Sequence, residues 1–186
     1  MYRLGIRDFG ESYTKDATEK LSLKYQFENP NDLINWHFIG KLQKNKVKHV
    51  VGKFYLIHSV DSLELAELIN KLANQRGTTQ DILLQVNISQ ETQKGGFCRD
   101  DLKSNFSKLL KLSNIKILGL MAIALKTEDN KIIKDGFLSL HDLKTELNKE
   151  YKANLQELST GMSNDYLTAI ECGSTMIRLG RAIFSQ

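Results

Sequence analysis

Short apolar runs alternate along the chain with longer stretches in which apolar residues recur every three or four positions. Ile6–Gly10 opens the series. Trp36-His37-Phe38-Ile39, Tyr55-Leu56-Ile57-His58-Ser59-Val60 and Ile82-Leu83-Leu84-Gln85-Val86-Asn87-Ile88 follow, then Ile115–Met121, Leu155–Ser159 and Thr175–Gly180. Runs this short, nearly continuous and rich in Leu, Ile and Val predict strands buried on both faces, as in a parallel sheet. The intervening stretches predict helices. Behind Asp61, with Glu64 placed three residues on as in a capping box, apolar residues fall at Leu65, Leu68, Ile69, Leu72 and Ala73. Leu102, Phe106, Leu109 and Leu110 form the next stripe, Phe137, Leu140, Leu143 and Leu147 another, and Asp165–Glu171 a shorter helix. Pro30, the only proline, predicts a loop ahead of the strand at Trp36.

Strands that alternate with helices predict a parallel sheet with helices packed outside it. An open doubly wound sheet and a (β/α)-barrel both satisfy that order. Doubly wound nucleotide folds carry a glycine-rich turn after the first strand. Neither G-x-G-x-x-G nor a Walker sequence occurs here, which favours the barrel. Eight units take about 250 residues, or about 31 each, so a chain of this length holds about six. Seven strands are nevertheless predicted. The expected fold is therefore α/β, a (β/α)8 TIM-barrel type one unit short, in a single domain over residues 1–186.

Composition narrows the function classes. Hydrophobic residues make up 41% and charged residues 26%, ordinary globular proportions that exclude a disordered or fibrous chain. The two cysteines, Cys98 and Cys172, form no Cys-x-x-Cys, so neither a disulfide scaffold nor a cysteine metal site is expected. No apolar run approaches the roughly 20 residues of a membrane span. Met1–Gly10 lacks the apolar stretch of a signal peptide, so a cytoplasmic protein is expected. The net charge of +4 suits an anionic ligand. Lys41, Lys44, Lys46, Lys48 and Lys53 lack interleaved aromatics and read as a solvated helix face rather than a nucleic-acid patch.

Barrel chemistry sits at the C-terminal ends of the strands, and phosphate sites use the loops after the last two. The corresponding ends here are Gly10-Glu11-Ser12, His37 to Gly40, His58-Ser59-Val60-Asp61, Asn87, Met121-Ala122, Ser159-Thr160-Gly161-Met162-Ser163 and Arg178 to Gly180-Arg181. Thr160–Ser163 is small and hydroxyl-bearing and runs into the helix near Asp165. Gly180 lets backbone N–H groups approach an anion closely. Together these two loops predict a phosphate site. His37 and His58, on buried strands, read as structural hydrogen-bonded histidines ahead of catalytic ones. Asp61 reads as a helix cap, Lys94-Gly95-Gly96 as a mobile loop over the site mouth, Cys98 as incidental in a polar loop, and Cys172 as core-facing.

Eight segments in order carry a family resemblance: Arg7-Asp8-Phe9-Gly10-Glu11, Trp36-His37-Phe38-Ile39-Gly40, Gln43-x-Asn45-Lys46, His58-Ser59-Val60-Asp61, Gln85-Val86-Asn87-Ile88, Gly119-Leu120-Met121, Gly161-Met162-Ser163-x-Asp165 and Gly173-Ser174-Thr175-Met176-x-Arg178-x-Gly180. Over essentially its whole length the chain closely resembles the pyridoxal phosphate homeostasis protein family (YggS/PROSC type), which shares the barrel of the alanine racemase N-terminal domain. The resemblance implies pyridoxal 5′-phosphate (PLP) as cofactor, held non-covalently or lost, and a non-catalytic carrier or buffer role in vitamin B6 homeostasis. By the same resemblance Ser163 donates its hydroxyl to the cofactor phosphate and the N–H groups of Gly180 and Arg181 complete the cradle. Arg178 faces the pyridine nitrogen, and Met162, Thr175, Ser12 and His37 join the site. A permanent cation at that nitrogen makes PLP a weaker electron sink than an aspartate would.

The chain also departs from the family. Family members begin with a strand carrying the lysine that forms the Schiff base, followed by a helix whose end corresponds to Met1-Tyr2-Arg3-Leu4-Gly5. The resemblance thus implies that the lysine and the first strand–helix unit are missing, in agreement with seven strands, which leaves an open edge in the barrel. None of Lys41, Lys44, Lys46, Lys48 or Lys53 is expected to point into the barrel. The family's Gly-Glu-Asn is Gly10-Glu11-Ser12 here, Arg181 replaces a small hydroxyl residue, and Ser185 replaces a glycine. Two alternatives stand beside the carrier. One is an amino-acid racemase-like PLP enzyme, opposed by the missing lysine and the missing second domain, since racemization needs an acid/base group on each face. The other is a degenerate barrel scaffold that acts through protein partners at its open edge. The expected partners are PLP and PLP-dependent apoenzymes, with no nucleic acid and no membrane, and the expected state is a monomer.

Overall fold

A computed structural model describes residues 1–14, 20, 34–89 and 95–184. Within it seven strands form where seven are predicted: β1 (Asp8–Glu11), β2 (Asn35–Phe38), β3 (Leu56–Val60), β4 (Gln80–Gln85), β5 (Ile115–Met121), β6 (Glu157–Met162) and β7 (Met176–Arg178). Every neighbouring pair is parallel, and the sheet order is the chain order, so β1 and β7 are its edges. The helices are α1 (Leu63–Gln75), α2 (Arg99–Leu109), α3 (Asn130–Tyr151), α4 (Tyr166–Glu171) and α5 (Arg181–Phe184), with 3-10 turns at Tyr2–Leu4 and Lys44–His49. Pro30, Lys94 and Ser185, which bear on the expectations above, lie outside the described residues.

Side-chain contacts reveal how far the sheet curls. His58 on β3 lies 2.8 Å from Ser159 on β6. Met176 on β7 packs against Leu56, Leu83 and Met121 from β3, β4 and β5. Strands three and four places apart in the order meet across a shared lumen, which an open sheet does not allow. Over the described residues the fold is a (β/α)8-type barrel with seven strands in place of eight.

The opposite strand faces hold the main core. Ile57, Val60, Ile82, Leu84, Leu120 and Leu158 pack against Leu65, Ile69 and Ala73 of α1, Leu102, Phe106 and Leu109 of α2, and Leu140, Leu143 and Leu147 of α3. These are the helical stripes read from the sequence. Leu110 is the exception: it caps the end of α2 and is 45% exposed.

Three expectations need correcting. The N-cap of α1 is Ser62, whose Oγ accepts the Leu65 N–H at 3.2 Å, because its extended backbone brings the hydroxyl over the first turn. Asp61 lies one residue too early. Cys98 is not incidental: it caps α2, its Sγ accepting the Asp101 N–H at 3.3 Å. The Thr160-Gly161-Met162 segment ends β6 rather than forming a loop, and only Ser163 onward turns. Gly161 makes this possible at φ 89°, where a Cβ would stand 2.6 Å from the Cβ of Ala169 on α4.

Among the described residues no helix is long and apolar enough to cross a membrane, and no group of three or more His, Cys, Asp or Glu is arranged to hold a metal ion.

Close approach of β5 and β6 yields a stability prediction. A Cβ at Gly119 would lie 1.9 Å from the Glu157 carbonyl oxygen, a backbone atom that cannot step aside. Gly119→Ala is expected to cost at least about 1–3 kcal/mol. Gly180→Ala, where no heavy atom lies within 4 Å of the added carbon, should melt close to the wild type. Thermal unfolding of the two variants checks this, and equal melting temperatures would contradict it.

Candidate functional site

The C-terminal ends of β6 and β7 converge on a small polar cradle. Asp165 accepts the Met162 N–H at 2.5 Å through Oδ1, which closes the turn after β6 and places Ser163 at its tip. The first N–H groups of a helix have no partner inside it. In α5 one of them, that of Ala182, donates to Ser163 Oγ at 3.0 Å. The turn after β6 and the helix start after β7 therefore face each other. Gly180 lies beside them with open space where a side chain would stand.

Behind the cradle a line of polar side chains crosses the lumen. Arg178 donates through Nη1 to the carbonyl oxygen of Ser159 at 2.8 Å and to its Oγ at 2.6 Å, and through Nη2 to the Ala122 carbonyl at 3.1 Å. Ser159 Oγ lies 2.8 Å from His58 Nδ1, and His58 Nε2 lies 2.9 Å from His37 Nδ1. His37 Nε2 meets Asp8 Oδ1 at 3.1 Å, and Asn35 donates to the same oxygen at 3.0 Å. Five strands thus contribute to one continuous chain: β7, β6, β3, β2 and β1. A further hydroxyl, Ser59 Oγ next to His58, is buried without a hydrogen-bond partner among the described residues.

Burial sets the charges along this line. The Arg178 pKa is pushed down to about 10 by desolvation, which the nearby Asp165 carboxylate opposes. It remains a cation at neutral pH. The His58 pKa is pushed down to about 2 by burial first, then by His37 and by Arg178. Its imidazole is neutral.

The sequence-derived candidates divide accordingly. Ser163, Gly180 and Arg181 come together at the cradle, Arg178 lies in the lumen behind it, and Met162, 36% exposed, adjoins Ser163. His37 has both ring nitrogens engaged, by His58 and Asp8. Ser12 follows β1 and its backbone lies against Gly40 at the end of β2, where a glycine Cβ would meet the Ser12 carbonyl. Thr175 is not brought to the cradle. It precedes β7, three residues from Arg178, a distance of about 10 Å along a strand. Its hydroxyl donates to Glu157 Oε2 at 2.5 Å and accepts the Leu158 N–H at 2.8 Å. Residues given no site role from the sequence also belong here. Asp165 shapes the turn, Ala182 supplies a backbone N–H, and Asp8 and Ser159 take part in the lumen chain.

The buried imidazole carries a pH prediction. His58 has a folded pKa far below its unfolded value of about 6.5. The unfolded chain therefore takes up the proton first as pH falls. The stability tied to this group is fully present above about pH 6.5 and is lost below it by about 1.4 kcal/mol per pH unit. Urea unfolding at pH 7.5, 6.5 and 5.5 should show this slope in the wild type and a shallower one in His58→Gln. Parallel pH profiles would contradict it.

Comparison with known proteins fits this geometry. The family profile described as "Alanine racemase, N-terminal domain" matches residues 2–186. The pyridoxal phosphate homeostasis protein of Aquifex aeolicus is 40% identical over 186 residues, all of this chain and 79% of the relative. The structure of PipY from Synechococcus elongatus without PLP superposes with a TM-score of 0.92 at 34% identity, covering 99% of this chain and 84% of PipY. The structure of PipY with PLP bound gives 0.89 at the same identity and coverage. The chain belongs to the alanine racemase N-terminal domain family and, within it, to the pyridoxal phosphate homeostasis proteins.

Proposed function

We propose that this chain is a PLP-binding protein of intracellular vitamin B6 homeostasis. In this reading residues 1–186 form one binding domain, a non-catalytic carrier or buffer that works in the cytoplasm as a monomer and supplies PLP-dependent apoenzymes. The observation that carries the reading is the Ser163–Ala182 contact, which joins the two loops at the ends of β6 and β7 into one anion cradle with Arg178 behind it. The naming of the relatives and the PLP-bound PipY structure support it.

The residues present fit the cofactor's chemistry. A phosphate needs donors and room. Ser163 offers a hydroxyl, the start of α5 offers the Arg181 N–H and, next to Ser163, that of Ala182, the N–H groups of Ile183 and Phe184 being held by the Gly180 carbonyl, and Gly180 leaves its surroundings open. A pyridine nitrogen that is to remain unprotonated needs a donor that keeps its own proton. Arg178 has five N–H groups and uses three of them on Ser159 and Ala122, so two remain to offer. Met162 would border the phosphate end. Thr175, Ser12 and His37 act as scaffold around the site in this reading. When bound, PLP supplies an aldehyde and an electron-withdrawing ring. An arginine at the ring nitrogen restrains that ring's capacity as an electron sink, which suits storage over demanding carbanion chemistry.

Equilibrium dialysis of PLP against the wild type and two variants tests the assignment. Arg178→Ala should weaken binding about tenfold or more, the effect of losing a charged hydrogen bond. Ser163→Ala should weaken it by a smaller factor, about threefold to tenfold, and inorganic phosphate should compete in the wild type. Unchanged PLP affinity in Arg178→Ala would contradict the reading.

A further inference from the structure

If each imidazole carries one hydrogen, the lumen chain admits a single arrangement of protons. Arginine only donates, so Arg178 gives its hydrogen to Ser159 Oγ. At the far end a carboxylate only accepts, so the hydrogen between His37 Nε2 and Asp8 belongs to His37. His37 then accepts at Nδ1, and its 2.9 Å contact requires His58 to donate from Nε2. His58 in turn accepts at Nδ1, and the hydrogen there is that of the Ser159 hydroxyl. Each contact from Asp8 to Arg178 then pairs one donor with one acceptor, and the order is set from the Asp8 end, since the Ser159 oxygen has two lone pairs and accepts from Arg178 in either case.

The inner part of the chain is closed to solvent, with His37 7%, His58 2% and Ser159 0% exposed, while the Asp8 side chain at its outer end is 65% exposed. The charged groups that face it are Arg178 from β7, Asp8 from β1 and Asp165 from the turn after β6. Tyr55 lies against His37 at 5.4 Å between ring centroids. From β4 and β5 the lumen presents the apolar Leu83 and Met121. With the His58 hydrogen kept on Nε2, a second proton on His37 would set two N–H groups against each other at 2.9 Å; relief would require His58 to move its hydrogen to Nδ1 and donate to Ser159. A second proton on His58 would turn the Ser159 hydroxyl away and place another cation beside Arg178.

We propose that Asp8, His37, His58 and Ser159 are positioning residues for Arg178: their one-way proton order turns a lone pair of Ser159 toward the guanidinium and fixes that cation in the lumen. This rests on the cofactor reading above for its purpose, but the proton order is a property of the chain itself. It also gives His37 a role without contact to the cofactor.

Two measurements test it. Nitrogen NMR of the wild-type protein labelled in histidine reads the tautomers with no ligand present. At pH 7.5 both His37 and His58 are expected to be neutral, with the hydrogen on Nε2 and a hydrogen-bonded Nδ1, and His58 should keep that form at pH 5.5. A hydrogen on Nδ1, or an imidazolium, in either ring at pH 7.5 would overturn the proposal, and this holds even if no variant folds. Second, PLP dialysis compares Ser159→Ala with Arg178→Ala. Ser159→Ala should weaken PLP binding about fivefold and shift the His58 Nδ1 resonance. If Arg178→Ala loses PLP while Ser159→Ala binds as the wild type does, the positioning role is overturned and the cofactor reading stands. If Arg178→Ala also binds as the wild type does, the cofactor reading falls and takes the positioning role with it.

Discussion

A guanidinium inside a protein must have its hydrogen bonds met by fixed acceptors, because water is no longer there to supply them. In this barrel that requirement falls on Arg178. Its acceptors are the carbonyls of Ser159 and Ala122 and the hydroxyl oxygen of Ser159. They sit just past the end of β5 and midway along β6, so the arginine at the end of β7 ties three consecutive strands together below the mouth. Further from the mouth the same hydroxyl is held by His58, and through it by His37 and Asp8.

The lumen is divided between two kinds of packing. Leu56, Leu83, Met121 and Met176 fill one part with apolar side chains, and the polar line fills another. Buried polar networks rigidify a fold when fully satisfied and weaken it when they are not. This one is satisfied from Asp8 to Ser159, and three of the five Arg178 N–H groups have acceptors, so the barrel can keep a cation next to the cradle without a counter-charge in direct contact. Asp165 provides attraction from a distance and spends its own oxygen on the turn that presents Ser163.

Much of this was legible in the sequence. The inner strands, β3 to β6, stand out because a parallel strand is buried on both faces and leaves a dense apolar run, whereas the edge strands β1 and β7 are only part buried and leave shorter ones. The stripes of α1 to α3 stand out because only one helix face is buried. The cradle was half legible: Ser163, Gly180 and Arg181 follow from strand ends and from the family resemblance, whereas Ala182 acts through its backbone and leaves no signal in residue type. The lumen chain was not legible. His37, His58 and Ser159 are visible as polar letters in apolar runs, but His58 and Ser159 are 101 residues apart, and only the curl of the sheet brings them together. Thr175 shows the opposite failure. It belongs to the same motif as Arg178, yet a strand spaces its residues along a line and leaves Thr175 at the other end. The shift of the α1 cap from Asp61 to Ser62 has a local cause, the extended backbone of Ser62.

The central claim is that one mouth, built from the ends of β6 and β7, takes the cofactor by its phosphate with Arg178 on the ring nitrogen. A crystal structure of this chain grown with PLP tests it most directly. The account predicts density for the phosphate within hydrogen-bond distance of Ser163 Oγ and the N–H groups at the start of α5, with the ring nitrogen toward Arg178. Density for PLP at any other place on the barrel, or the ring nitrogen turned away from Arg178, would contradict it.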